Sequence, residues 1–398
     1  MTPFEAGAGA LGPCQRVEVR RREATPPSSA NPQLKPWRTT GSVGEAARVQ
    51  GLSAPITVTW EVTNRCNLHC SHCLSDSGPE ADPRHELSLA EAKAVVDRLA
   101  AARVFQIHFG GGEPFVYPGF MELLRYAQSR GFCCLCISTN GALLGERRIA
   151  ELEALGGIYL QLSLDGASAE ACDAIRGPGT FRKVLGALER LQGTSIVRTL
   201  NFVYCRNNAH ELDAMLALAQ RYGATLRVTR LKPSGRGAAV YDALKPTQAQ
   251  LAHLHGWLQA HEAVLTGDTF FHLNAFGGQP LGGFQFCGAA RMTCLIAPNG
   301  DVFPCAFTQS DVFRAGNLRR QDFAEIWRDA PVFNRVFRQA PQGACSSCSA
   351  VGGCGGGCPA VKHAVAGRLD IPDPDCVIDT ARGLGRLPPA DPTPLCVG

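Results

Sequence analysis

The sequence predicts an α/β protein, a partial (β/α)6 barrel of the TIM type followed by a cysteine-rich extension, on three observations. From residue 55 onward short apolar runs alternate with helical patterns. Polar, glycine-containing clusters recur at the C-terminal ends of those runs. Beyond residue 284 the character changes, with Gly and Cys rising and the strands shortening. Strand–helix alternation argues for parallel β/α units. Right-handed crossovers then curl six such units into a barrel or partial barrel, whose functional groups gather at the C-terminal strand ends.

The runs at 56–62, 104–109, 133–138, 159–164, 197–203 and 226–231 read as the six strands. Helical patterns occupy 89–101, 120–130, 146–155, 181–191 and 211–222, and 247–263 reads as a further helix behind Pro246. In the extension, 323–328 reads as one short helix. A small apolar core like that of the extension needs metal to hold it. Residues 1–54 contain Pro26-Pro27, Pro32, Pro36 and the run Arg20-Arg21-Arg22, and read as a poorly ordered extension. The expected division is an N-terminal extension at 1–54, the barrel at 55–265, a connecting segment at 266–283, the cysteine-rich domain at 284–380 and a tail at 381–398.

Composition excludes several function classes. The 398 residues carry 39 basic and 35 acidic side chains, a net charge of +4, too mild to argue for nucleic acid or a membrane surface. No apolar run is long enough to span a bilayer, and the first residues lack the pattern of a secretory signal. The chain has 18 cysteines, and in a long chain without a signal these point to the reducing cytoplasm, where thiols stay free for metal.

The first cysteine group is Cys66-x3-Cys70-x2-Cys73, at the end of the first strand. Three thiolates from one tight loop can hold three irons of a [4Fe–4S] cluster and leave the fourth open. An open position is what a catalytic metal site keeps. By spacing alone zinc stays open as an alternative, with His69 or His72 as a fourth ligand. The second strand ends in Phe109-Gly110-Gly111-Gly112-Glu113-Pro114. Its glycines let the backbone approach a ligand, and Glu113 can accept hydrogen bonds from an ammonium group. Ser138-Thr139-Asn140-Gly141 closes the third strand and Ser163-Leu164-Asp165-Gly166 the fourth, with Arg176-Gly177 in the next helix. Turn chemistry is the other reading of Asn140 and Asp165, and a surface charge pair that of Arg176.

The C-terminal cysteines follow their own order. Cys287 and Cys294 precede Gly300-x4-Cys305, the block Cys345-x2-Cys348-x5-Cys354-x3-Cys358 comes next, and Cys376 closes the series. Eight cysteines suffice for two fully ligated [4Fe–4S] clusters or for two zinc sites, and spacing does not choose between them. Cys14, Cys133, Cys134, Cys136, Cys172, Cys205 and Cys396 remain, those on the third strand reading as small buried apolar residues.

Taken together, these motifs resemble the radical S-adenosylmethionine (SAM) superfamily, and the C-terminal order resembles the SPASM extension of its peptide-modifying members. The resemblance implies that Cys66, Cys70 and Cys73 ligate a SAM-binding [4Fe–4S] cluster. It implies that Gly111, Gly112 and Glu113 receive the SAM amino group. Ser138, Asn140, Ser163 and Asp165 would face the ribose or methionine end, and Arg176 the carboxylate. Cys287, Cys294, Cys305 and Cys358 would hold one auxiliary cluster, and Cys345, Cys348, Cys354 and Cys376 a second. Asn201 is a weaker candidate, and His72 stands where the family often has an aromatic on adenine.

Longer stretches at 54–73, 159–181, 222–237, 265–273 and 287–307 are similar to the mycofactocin maturases within that superfamily. What this implies is a short precursor peptide ending in Val-Tyr, oxidative decarboxylation of its Tyr, and joining of Val to Tyr in a lactam. A small peptide-binding chaperone and an electron donor such as flavodoxin or ferredoxin are the implied partners. Arg230, Lys232, Arg236 and His272 are candidates to meet the peptide's carboxylate or phenol. A thioether-forming or sulfatase-maturing relative, and a non-catalytic zinc scaffold, are the competing readings.

Overall fold

The computed structural model describes residues 52–266, 270–282, 286–337 and 340–378. The N-terminal extension up to residue 51 and the tail from 379, with Cys14 and Cys396, lie outside the described residues. Six strands pair in parallel in chain order: β1 (Thr57–Thr63), β2 (Gln106–Gly111), β3 (Cys134–Thr139), β4 (Ile158–Ser163), β5 (Val197–Tyr204) and β6 (Thr225–Arg230). Each stands within two residues of its expected bounds. The sheet does not close. It runs β6-β5-β4-β3-β2-β1 and continues through β7 (Thr293–Ile296), β8 (Asp301–Phe303) and β9 (Gly316–Asn317). Thus the extension adds β7 in parallel to β1, Thr57 opposite Thr293, before β8 and β9 reverse direction.

Between the strands lie α1 (Leu89–Ala101), α2 (Phe120–Ser129), α3 (Glu146–Leu155), α4 (Ala169–Arg176), α5 (Thr180–Leu191) and α6 (Leu212–Arg221). α7 (Gly237–Leu244) and α8 (Gln248–Ala260) follow β6. In the extension come α9 (Phe323–Asp329), α10 (Val351–Cys354) and α11 (Pro359–Ala366). Local chemistry sets several boundaries. Ser88 and Glu91 close a reciprocal capping box on α1, as Thr247 and Gln250 do on α8, satisfying backbone donors that a helix start leaves bare. Arg176 lies in the helix that follows β4, as the sequence suggests. It ends that helix, capped by Ser168, because Gly177 and Gly179 turn the chain at φ of 100° and 75°.

Alternation along the strands decides where the site can be. Val58, Trp60, Ile107, Phe109, Leu135 and Ile137 are at most 2 % exposed. These residues face the helices, with Trp60 against Phe109 at 5.8 Å and Phe109 edge-on to Phe120 of α2 at 5.6 Å. The intervening residues face the barrel lumen, and they are mostly polar: His108, Ser138, Gln161, Ser163, Asn201 and Arg227. A closed barrel of this type fills its interior with branched apolar side chains. This open one keeps a polar concave face instead. Cys134 and Cys136 belong to that face and are half-buried, and Cys133 is exposed, so these cysteines are not the small, fully buried apolar residues expected.

Candidate active site

The loop after β1 carries Cys66, Cys70 and Cys73 and is held from several sides. Cys66 N–H donates to Gly78 O at 3.0 Å, and Ser71 N–H to Ile175 O at 3.0 Å. Thiol sulfurs accept from backbone donors, Leu68 N–H to Cys66 Sγ and Ser77 N–H to Cys73 Sγ, both at 3.4 Å. Such donors stabilise thiolates and the sulfurs of a bound cluster. Burial pushes the Cys66 thiol up to about 11, so loading it with metal releases a proton.

Arg236 braces this loop. Its guanidinium donates to Cys70 O at 3.0 Å, Asp76 Oδ1 at 2.7 Å and Ser77 O at 2.6 Å. Those donors are committed, so Arg236 is not placed to receive a peptide. Gly235 beside it has φ of 54°, and a Cβ there would meet Cys73 O and Leu74 O at 2.6 Å. Close backbone contact between the two loops is the reason for a glycine at this position.

The glycine turn after β2 works in the same way. A Cβ on Gly111 would lie 2.4 Å from Thr63 O, and one on Gly112 2.1 Å from Arg65 O. This contact sets Glu113 beside the cysteine loop. The Glu113 carboxylate is fully buried and accepts from Thr139 Oγ1 at 2.8 Å and Asn140 N–H at 2.8 Å. Burial raises its pKa to about 7, against the lowering effect of those hydrogen bonds. Among the described residues no Lys, Arg or His pairs with it within salt-bridge distance. A buried carboxylate without a cation suits a ligand that brings one, and the ammonium of SAM does. Asn140 Nδ2 bonds Asn67 Oδ1 at 2.8 Å and lies 3.7 Å from Cys66 Sγ, tying the end of β3 to the cysteine loop.

Asp165, His72 and Arg176 form a buried cluster on the far side of that loop. Asp165 Oδ2 lies 2.7 Å from His72 Nε2 and 2.6 Å from Arg176 Nε, while Oδ1 accepts from Val203 N–H at 2.8 Å. Burial works to raise the Asp165 carboxyl, but Arg176 and then His72 outweigh it and hold it down to about 2. Arg176 Nη1 is also 4.0 Å from Cys70 Sγ. Asp165 and Arg176 are therefore brought together with Cys70, and His72 points to Asp165. Ser163 and Asn201 stand opposite each other on β4 and β5, facing the lumen.

In the extension four cysteines converge. Cys345, Cys348, Cys354 and Cys376 line one pocket, together with His272 and Asp373. Four thiols around one void fit a fully ligated cluster. His272 is 2 % exposed, with both ring nitrogens buried and without hydrogen-bond partners among the described residues, so it belongs to this cavity rather than to the lumen. Cys287 and Cys358 pack in one small core, and burial, with a smaller push from the Cys358 thiol, raises the Cys305 thiol to about 11. Lys232 lies 4.0 Å over the Phe307 ring and lowers the same thiol. Cys294 differs. It sits on β7 opposite Val58, shares the orientation of that core residue, is 0 % exposed, and has its thiol raised by burial alone.

Arg230 is likewise committed elsewhere than the sequence suggests. It is 3 % exposed and donates to Asp373 at 3.0 and 2.6 Å and to Asp375 at 3.0 and 2.6 Å. Asp373 Oδ2 also accepts from Cys358 N–H at 2.7 Å, and Tyr241 donates to Asp375 at 3.2 Å. These contacts bind the end of β6 to both cysteine groups of the extension.

Comparison with known proteins adds the family. Residues 60–219 match the radical SAM superfamily, and residues 287–349 match the SPASM iron–sulfur cluster-binding domain. The chain is 46% identical to the mycofactocin maturase MftC of Mycobacterium ulcerans, over 82% of this chain and 89% of that one. The chain belongs to the radical SAM/SPASM enzymes, with the mycofactocin maturases. Against MftC of Mycolicibacterium smegmatis the identity is also 46%, over 82% of this chain and 84% of the relative. Among solved structures, Streptococcus suis SuiB bound to S-adenosylmethionine superposes with a TM-score of 0.69 at 18% identity, covering 84% of this chain and 80% of that one. Membership supplies the cofactors: a [4Fe–4S] cluster with SAM in the barrel, and auxiliary iron–sulfur clusters in the SPASM domain. No helix among the described residues is long and apolar enough to cross a membrane.

Several residues of the site are absent from the sequence reading. His108, Gln161 and Arg227 went unremarked, as did Glu61, a buried lumen-facing carboxylate on β1 that accepts from Ser75 and Gln309. The signal was available. Parallel strands buried on both faces read as continuous apolar runs, whereas Gln106-Ile107-His108-Phe109 and Thr225-Leu226-Arg227-Val228 alternate polar with apolar.

Proposed function

We propose that this enzyme matures a short, ribosomally made precursor peptide in mycofactocin biosynthesis, by oxidative decarboxylation of a C-terminal Tyr and then a bond from Val to Tyr that closes a lactam. The observation that carries this reading is 46% identity to a mycofactocin maturase across 89% of that relative's length. When bound, the clusters supply the electron that releases a 5′-deoxyadenosyl radical from SAM and a sink for the electron freed by decarboxylation.

In this reading Cys66, Cys70 and Cys73 hold the SAM-binding cluster, and Glu113, carried by Gly111 and Gly112, holds the SAM ammonium. Ser138, Asn140 and Ser163 border the SAM site from the ends of β3 and β4. Asp165 keeps His72 and Arg176 in place against Cys70, leaving Arg176 the member with donors for a carboxylate. Cys287, Cys305 and Cys358 hold the first auxiliary cluster and Cys345, Cys348, Cys354 and Cys376 the second. The polar lumen receives the end of the peptide. A peptide-binding chaperone and a flavodoxin or ferredoxin complete the system, in the cytoplasm.

The test is mass spectrometry of a peptide ending in Val-Tyr after anaerobic incubation with enzyme, SAM and reductant. A product lighter by the mass of formic acid is expected. An unchanged peptide, under conditions where the enzyme cleaves SAM to 5′-deoxyadenosine, overturns the reading.

A further inference from the structure

Inside the barrel a chain of hydrogen bonds joins side chains of four strands, β2, β3, β4 and β6. Arg227 of β6 donates through Nη1 to Gln161 Oε1 of β4 at 2.9 Å. Gln161 Nε2 donates in turn to Ser138 Oγ of β3 at 2.8 Å. His108 Nε2 of β2 lies 2.7 Å from the same Ser138 Oγ. All four side chains occupy lumen-facing positions. Arg227 stands three residues before the end of β6, opposite Asn201, which is opposite Ser163. Arg227 is thus level with Ser163 on the sheet, and Ser138 joins the belt directly to the strand ends where the SAM-site residues gather.

The charge of this belt is unbalanced. No Asp or Glu occupies a lumen-facing position of β2 through β6, and the lumen-facing carboxylate of β1, Glu61, accepts from Ser75 and Gln309 instead. Among the described residues Arg227 has no carboxylate within ion-pair distance, and its Nε is buried without a partner. Burial and then the Arg227 charge push His108 down to about 3, so its imidazole is neutral and adds no second charge. Gln161 is not an acid, and it holds the guanidinium through one nitrogen only. What remains is a single, oriented cation on a concave polar wall. A guanidinium fork binds a carboxylate through two parallel hydrogen bonds, and one positive charge balances one carboxylate.

We propose that Arg227, oriented by Gln161, Ser138 and His108, heads a carboxylate-binding subsite in the barrel lumen, and that the group it takes is the C-terminal carboxylate of the peptide. Assigning that carboxylate to a peptide terminus rests on the proposed function; the subsite itself does not. Held there, the terminal residue lies in the lumen with its carboxylate fixed beside the SAM site. Arg227 acts as a positioning residue.

The test measures binding, apart from turnover. Holoenzyme reconstituted anaerobically with iron, sulfide and SAM is dialysed to equilibrium against 3-(4-hydroxyphenyl)propanoate or its primary amide, which differ only in the charge at issue. The wild type is expected to prefer the acid by at least about tenfold. Arg227→Gln is expected to bind acid and amide alike. Gln161→Glu, which sets a competing carboxylate beside Arg227, is expected to lose the preference while Arg227 remains. Iron and sulfide content report that each variant is assembled. A wild type that does not discriminate, or a Gln161→Glu variant that still prefers the acid, overturns the subsite. If acid preference holds but a Val-Tyr peptide is never altered, the proposed function fails and the subsite stands.

Discussion

Glu113 shows how one residue's environment becomes a binding property. Burial holds its pKa near 7, above the ordinary carboxylate value of 4.5, so the folded chain keeps a proton there in mildly acidic solution. An acid whose pKa is raised on folding favours the folded state at low pH and loses that contribution as pH rises through about 7. Binding an ammonium needs the opposite, ionised form. SAM affinity is therefore expected to weaken as pH falls below about 7, by up to tenfold per pH unit. Calorimetric titration between about pH 8 and pH 6 checks this. Affinity that stays flat across that interval means that Glu113 does not carry the ammonium. The sequence proposes this role through the resemblance to radical SAM enzymes, carried by the glycine turn at a strand end about forty residues after the cysteine triplet. The raised pKa was not legible there, because burial is a property of the packed loops around it.

At the scale of elements, strand register separates residues that spacing groups together. Cys287, Cys294 and Cys305 lie close in sequence, and the resemblance to SPASM enzymes implies all three in one ligand set. β7, however, pairs Cys294 with Val58, which points into the core. A strand's side chains alternate between faces, so register alone decides which thiol reaches a cluster. Cys294→Ala is expected to retain the iron of the first auxiliary cluster, at the cost of a small cavity. Cys305→Ala and Cys358→Ala are expected to lose it. Iron quantification on reconstituted variants separates the two, and loss of a cluster's iron in Cys294→Ala restores that thiol to the ligand set. The positions of most helices could be read in advance from 3.6-residue periodicity and caps, as for α1 and α3. α7, α10 and α11 could not: they are short, and glycines around them weaken any periodic signal.

For the whole molecule, the buried group of Arg230, Asp373, Asp375 and Tyr241 connects the barrel to the extension. Breaking a buried pair leaves a charge without compensation and costs about 3–5 kcal/mol, whereas an exposed pair contributes about 1 kcal/mol or less. Asp373→Ala is expected to lower the unfolding temperature of the reconstituted enzyme and its auxiliary-cluster iron, because Asp373 also holds the Cys358 N–H. Asp370→Ala, in the exposed pair with Arg368, serves as the control and is expected to change neither. Equal behaviour of the two variants rules out this buried connection.

From its sequence alone this protein was determined as a parallel β/α barrel with one open three-cysteine loop and a cysteine-rich extension, since periodicity and ligand spacing are local and survive in one dimension. Tertiary structure decided which charges are already spent. Arg230 and Arg236 are neutralised or bonded by partners more than a hundred residues away, while Arg227 is left with a neutral one. Only folding sets those distances, and in a desolvated lumen distance decides whether a cation is structural or available.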